Sequence, residues 1–122
     1  MYKNYLTFQM AQSFDQLCKT VNLSTVYRAR LNASSEKMIE YFGKSIEAGH
    51  ATVHPDPQRD PHDELKHLFV TLLCIKDCRE VLRESGVHIF ELEAKGEILQ
   101  KRLEQLCLTA APIPRIQLRK SG

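Results

Sequence analysis

No apolar run in this 122-residue chain approaches the roughly 20 residues that a helix needs to cross a bilayer. A membrane-spanning protein is therefore not expected. The opening stretch, MYKNYLTFQMAQSFDQ, meets Asp15 and several glutamines early and lacks the continuous apolar core of a secretory signal. A cytoplasmic location follows as the expectation. Chemistry-bearing motifs are equally scarce: there is no phosphate-cradling glycine loop, no nucleophile elbow and no HExxH helix, so nucleotide hydrolysis, acyl transfer and zinc proteolysis have no recognisable machinery. Internal repeats of 20 to 50 residues are also missing, which argues against a solenoid.

Cysteine is sparse. The four that occur, Cys18, Cys74, Cys78 and Cys107, fall inside apolar helical patterns, so they read as reduced core thiols and not as a disulfide framework. Acidic residues stop at Glu104, after which Arg115, Arg119 and Lys120 follow in APIPRIQLRKSG. Pro112 and Pro114 keep that stretch out of helix. It reads as a short basic tail over residues 112–122, attached to a domain over 1–111. Net charge is only +2, too small to imply a polyanionic partner by itself.

With 43% apolar and 26% charged residues the chain has the composition of an ordinary globular domain, long enough for one buried core. Leu6, Met10, Phe14, Leu17, Cys18 and Val21 recur at steps of three and four, predicting an amphipathic helix over about Asn4 to Thr20. Ser24 is the expected cap of a second helix reaching about Ala48, with Val26, Ala29, Ala33, Met38, Ile39, Phe42 and Ile46 as its apolar positions and Gly49 as its end. A third helix, about Pro61 to Ser85, starts from an Asp60 cap and a first-turn proline and ends at Gly86. A fourth runs over about Ile89 to Thr109 with Leu92, Leu99, Leu103 and Leu106 on one side. Four such helices without strand-like alternation predict an all-α fold, an antiparallel up-down four-helix bundle.

The third helix holds a surplus of oil. Leu65, Leu68, Phe69, Val70, Leu72, Leu73, Cys74 and Ile75 cover more than one face, which requires burial on two sides. Either this helix is central, or part of it is a subunit contact. For the second case Leu68, Phe69, Leu72 and Leu73 are the candidate interface.

Histidine raises the question of a metal. Four of the five histidines, with four carboxylates, crowd into Gly49 to Leu68. His50, His54 and His62 lie in or beside a proline-rich connector that sets no ligand spacing, and the acids are accounted for by helix initiation. His67, Cys74 and Cys78 share a helical face, but His67 and Cys74 are about 10 Å apart along the axis, too far for one ion. Glu64 and His67 have the Glu-x-x-His spacing of di-iron bundles only once, where the motif needs a second copy and two further glutamates. No metal and no cofactor are expected, and no catalytic residue is assigned.

The order of elements, the NYLTFQMAQSF opening, the second helix ending in GKSIEAGH, the acidic start DPHDELKHLFVTLLCIKDCREVL and the leucine-rich last helix resemble the small bacterial four-helix bundle proteins associated with intervening sequences in large-subunit ribosomal RNA genes. The bundle accessory proteins of diversity-generating retroelements are similar. The resemblance implies a non-enzymatic, ring-forming homo-oligomer, often a pentamer, whose basic surface holds structured RNA or DNA or a nucleic-acid enzyme. Residues here suited to that role are Arg28, Arg30, Lys37 and Lys44 of the second helix, with Arg115, Arg119 and Lys120 of the tail. Arg30, Lys37 and Lys44 are spaced by sevens and so share one face, and Tyr27 and Tyr41 lie nearby for stacking. Two alternatives stay open: a solvated face balanced by Glu36, Glu40 and Glu47, and a protein-interaction module that binds no nucleic acid.

Overall fold

The structure, a computed structural model, describes residues 2–50 and 63–110, with side chains over 5–47 and 63–110. The Asp60–Pro61 helix start, His54, His62 and the tail residues Arg115, Arg119 and Lys120 lie outside what it describes, as does the side chain of His50. Four helices make up the described residues: α1 Tyr2–Thr20, α2 Thr25–His50, α3 Asp63–Glu84 and α4 Phe90–Ala110. No strand occurs among them, and no helix is long and apolar enough to cross a membrane.

Each helix packs on two neighbours. α2 lies against α1 and α3, and α4 lies against α1 and α3, so the four enclose one core with α1 diagonal to α3. The widest of these contacts joins α2 to α3. Their side chains meet in reversed order, Arg30 with Glu84, Ser34 with Asp77 and Tyr41 with His67, so this pair runs antiparallel. α1 and α2 meet in the same reversed sense, Phe8 with Phe42 and Cys18 with Arg28.

The buried seams follow a strict alternation of three and four. In α1 the seam is Thr7, Ala11, Phe14, Cys18 and, just beyond the helix, Val21; in α2 it is Leu31, Ser35, Met38, Phe42 and Ser45. α3 contributes Leu68, Thr71, Ile75, Cys78 and Leu82, flanked by Leu72, Cys74 and Val81. α4 contributes Leu92, Gly96, Leu99 and Leu103. This 3.5-residue spacing keeps one stripe facing its partners along several turns. Small members of the seams let backbones approach. At Gly96 an added Cβ would meet Phe14 Cε1 at 3.1 Å and Arg79 Cδ at 3.4 Å, so the ring of α1 occupies the space that glycine leaves.

Several expected core positions fall elsewhere. Leu6 is exposed, and so are Val26, Ala29 and Ala33 in the first half of α2, where Leu31 and Ser35 hold the seam instead. α2 also passes through Gly49 to His50. At Ser24 and Gly86 the helix boundaries fall where they are expected. The carbonyl of Ser24 accepts from the Arg28 N–H at 2.8 Å, opening α2. Gly86 sits at φ +80°, and the Val87 and Gly86 N–H groups donate to the carbonyls of Leu82 and Arg83 at 3.3 and 3.1 Å. This is the paired-bond end that a left-handed glycine permits.

Candidate functional site

The basic row of α2 divides into two kinds of residue. Arg28 and Arg30 are committed to the fold. Arg28 donates to the carbonyls of Cys18, at 2.9 Å, and Val21, and to Asn32 Oδ1 at 3.2 Å. It thereby satisfies carbonyls that the end of α1 leaves without helical partners. Arg30 bonds Glu84 Oε1 at 3.0 Å and lies 3.5 Å from Asp77 Oδ1, and Asp77 in turn accepts from Ser34. Those contacts clasp α2 to α3 and neutralise the charge that the spacing suggested was presented outward.

Lys37 and Lys44 form the second kind. Both ammonium groups lie over the ring of Tyr41, at 5.7 and 4.8 Å from its centroid, because positions four before and three after Tyr41 share its helical face. The ring attracts cations through its negatively polarised face. Lys44 also pairs with Glu40 at 3.3 Å. No carboxylate lies within ion-pair distance of Lys37 among the described residues. The Tyr41 ring meets that of His67 on α3 at 5.8 Å, tilted by 46°, and His67 Nδ1 is buried without a hydrogen-bond partner. Two cations, a phenol and an imidazole thus meet along the α2–α3 seam. Tyr27, the other expected stacking ring, instead packs partly buried against the core.

Between α3 and α4 lies a contrasting feature. Leu65, Phe69, Val70 and Leu72 of α3 face Cys107 and Leu108 of α4 across an apolar groove of about 880 Å³, edged by Lys66 and Glu104. The four residues expected at a subunit contact separate here. Leu68 and Leu72 belong to the chain's own core, at 0% and 7% exposure, whereas Phe69 and Leu73 face outward at 54% and 51%. The helical period explains the split, since positions four apart nearly eclipse, so that Leu68 and Leu72 share one line down the helix while Phe69 and Leu73 share another about 100° round it. Leu108, 74% exposed, escaped the sequence reading. Its signal was available, because it stands off the stripe formed by Leu92, Leu99, Leu103 and Leu106.

The thiols are poor nucleophiles. Burial, assisted by Asp15 and opposed by Arg28, pushes the Cys18 thiol up to about 12. Burial, with Cys18, Cys74, Asp77 and Asp15 adding to it, drives Cys78 up as well. Cys74 and Cys107 are raised by burial too, against the opposing charges of Lys37 and Lys76. A neutral thiol neither attacks a carbonyl nor ligates a metal readily. Among the described residues no three or more histidine, cysteine, aspartate or glutamate side chains converge as metal ligands.

Compared with protein-family models, curated proteins and solved structures, the chain matches none.

Proposed function

We propose that this protein is a non-enzymatic four-helix scaffold that holds structured RNA or DNA against the α2–α3 face. The supporting observation is the placement of the Lys37 and Lys44 ammonium groups on opposite turns around Tyr41. An aromatic that steadies two flexible lysines lowers the side-chain entropy lost when they neutralise phosphates. The chain's resemblance to the bacterial bundle proteins linked to ribosomal RNA intervening sequences supports the same reading, with the basic tail residues Arg115, Arg119 and Lys120 as further contacts. Arg28 and Arg30, tied up within the fold, drop out of the binding set.

The test is the affinity of the purified chain for labelled structured RNA and duplex DNA across a salt series. Charge reversal at both positions, Lys37→Glu with Lys44→Glu, is expected to weaken binding at low salt by roughly 10- to 100-fold and to flatten the salt slope by about 2 for duplex DNA. Absence of salt-sensitive binding by the parent chain, or a double variant indistinguishable from it, overturns the proposal.

A second reading, assembly with other copies or with a partner protein, is favoured by one specific observation: Phe69 and Leu73 both face outward on α3, and Phe69 lines the groove together with the exposed Leu108 of α4. Exposed apolar clusters of this kind mark contact surfaces more often than scattered single residues do. Under this reading, Phe69→Asp with Leu73→Asp turns an associated species into a monomer in sedimentation or light scattering, while the helical content is kept. A parent chain that is already monomeric at all concentrations removes self-association from the proposal.

A further inference from the structure

We propose that a polar cleft between α3 and α4, beside the Gly86 turn, binds a small organic phosphate monoester through Arg79 and Lys76. The cleft encloses about 530 Å³, a volume typical of small-ligand sites. It shares no residue with the apolar groove farther along the same helix pair, nor with the lysine face of α2.

The ion pairs around the cleft single out these two cations. Of the three carboxylates that line it, Glu80 pairs with Arg83, Glu93 with His88 at 3.3 Å and Glu97 with Lys101 at 3.2 Å. Each acid is engaged. Lys76 and Arg79, three residues apart and so neighbours on the helix surface, have no carboxylate within ion-pair distance among the described residues. Arg79 is also held in place. Its Cγ and Cδ lie 3.4 Å from where a Cβ on Gly96 would stand, so its stem crosses the gap that glycine leaves, and Nη1 donates to Gln100 Oε1 at 2.5 Å. Gln100 in turn donates to Glu104 at 3.2 Å, which orients the amide with its oxygen toward Arg79. An arginine fixed in this way loses little side-chain entropy when it binds, and its planar fork grips two oxygens of a phosphate at once.

Charge and shape narrow the ligand. A phosphate monoester carries about −1.5 to −2 charges at neutral pH, which matches two uncompensated cations, whereas a carboxylate carries one. Leu82, Val87 and Leu92 supply an apolar wall against which the organic group of the ester packs.

The test is titration of the full chain with phenyl phosphate, inorganic phosphate and benzoate, followed by amide NMR shifts and calorimetry. Saturable binding of phenyl phosphate is expected, with shifts centred on Arg79, Gly96 and Gln100. Affinity is expected to fall by roughly tenfold or more in Arg79→Met, which keeps an unbranched stem over Gly96, and severalfold in Lys76→Met, at an exposed position. Lys37→Glu with Lys44→Glu is expected to leave it within about twofold of the parent, so this site and the nucleic-acid face fail separately. No saturation by phenyl phosphate, equal affinity in the parent and both methionine variants, or benzoate bound as tightly as phenyl phosphate overturns the proposal. So does inorganic phosphate bound as tightly as the ester, since the apolar wall then contributes nothing.

Discussion

Replacing Phe42 by alanine is expected to lower the free energy of unfolding by about 3–5 kcal/mol. Phe42 is fully buried on the α2 seam, and its ring meets Phe8 of α1 edge-on, with centroids 5.4 Å apart and planes at 88°. Truncation removes the transfer energy of the ring and leaves a cavity that Phe8, held by its own helix, cannot fill. An edge-to-face pair contributes about 0.5–1.5 kcal/mol beyond the area buried. The coupling between Phe8→Ala and Phe42→Ala in a double-mutant cycle is therefore expected to fall in that range. Urea titrations followed by circular dichroism measure both. For a domain near 100 residues, where each kcal/mol shifts the midpoint by about 4–8 °C, the single Phe42 variant melts at least about 12 °C lower. A loss under about 1 kcal/mol would show that α1 and α2 do not enclose Phe42.

Arg28→Ala is the second large effect, at about 2–3 kcal/mol, because hydrogen bonds from a charged donor each contribute roughly 1.5–3 kcal/mol when partly buried. The guanidinium joins the carbonyls of Cys18 and Val21 to Asn32, locking the end of α1 to the first turns of α2. An ammonium lacks the planar fork that reaches two carbonyls at once. Arg28→Lys is thus expected to recover less than half of the loss, although it keeps the charge. Nucleic-acid affinity measured below the melting range of each variant is expected to stay within about twofold of the parent, in contrast to the steep losses that follow phosphate-contact removal. A variant that keeps its melting temperature yet loses affinity would move Arg28 from the fold to the binding surface.

These two residues also show what was legible in the sequence. Phe42 was readable, because a large apolar side chain at helical spacing has only one comfortable place. Four helices and the apolar sides of α3 and α4 were readable for the same reason, and the Ser24 and Gly86 boundaries from capping chemistry. The register in the first half of α2 was not. Its seam is built from Leu31, Ser35 and Ser45 as well as Met38 and Phe42, and a search for apolar periodicity passes over serine in favour of Ala29 and Ala33. Thr7, Thr71 and Gly96 hide the seams of the other helices in the same manner. Small or weakly polar residues are buried there because close helix approach leaves no room for larger ones, and that pressure comes from the partner helix, outside the window being read.

The basic row was half legible. Spacing by sevens correctly put Arg30, Lys37 and Lys44 on one side of a helix, but the acids that consume Arg30 lie 47 and 54 positions away, at Asp77 and Glu84. No local pattern encodes a pairing over such a separation. Arg28 presented the same difficulty, since its acceptors are backbone carbonyls and carry no sequence signature. Conversely, Tyr41 and His67 meet only because α2 and α3 run in opposite directions.

His67 and Phe69 are two residues apart on α3, one touching the ring that steadies the lysines and the other lining the oily cleft. A stiff rod shared in this way acts as a common strut. An occupant of the cleft and a ligand on the lysines would therefore lean on the same turn of backbone.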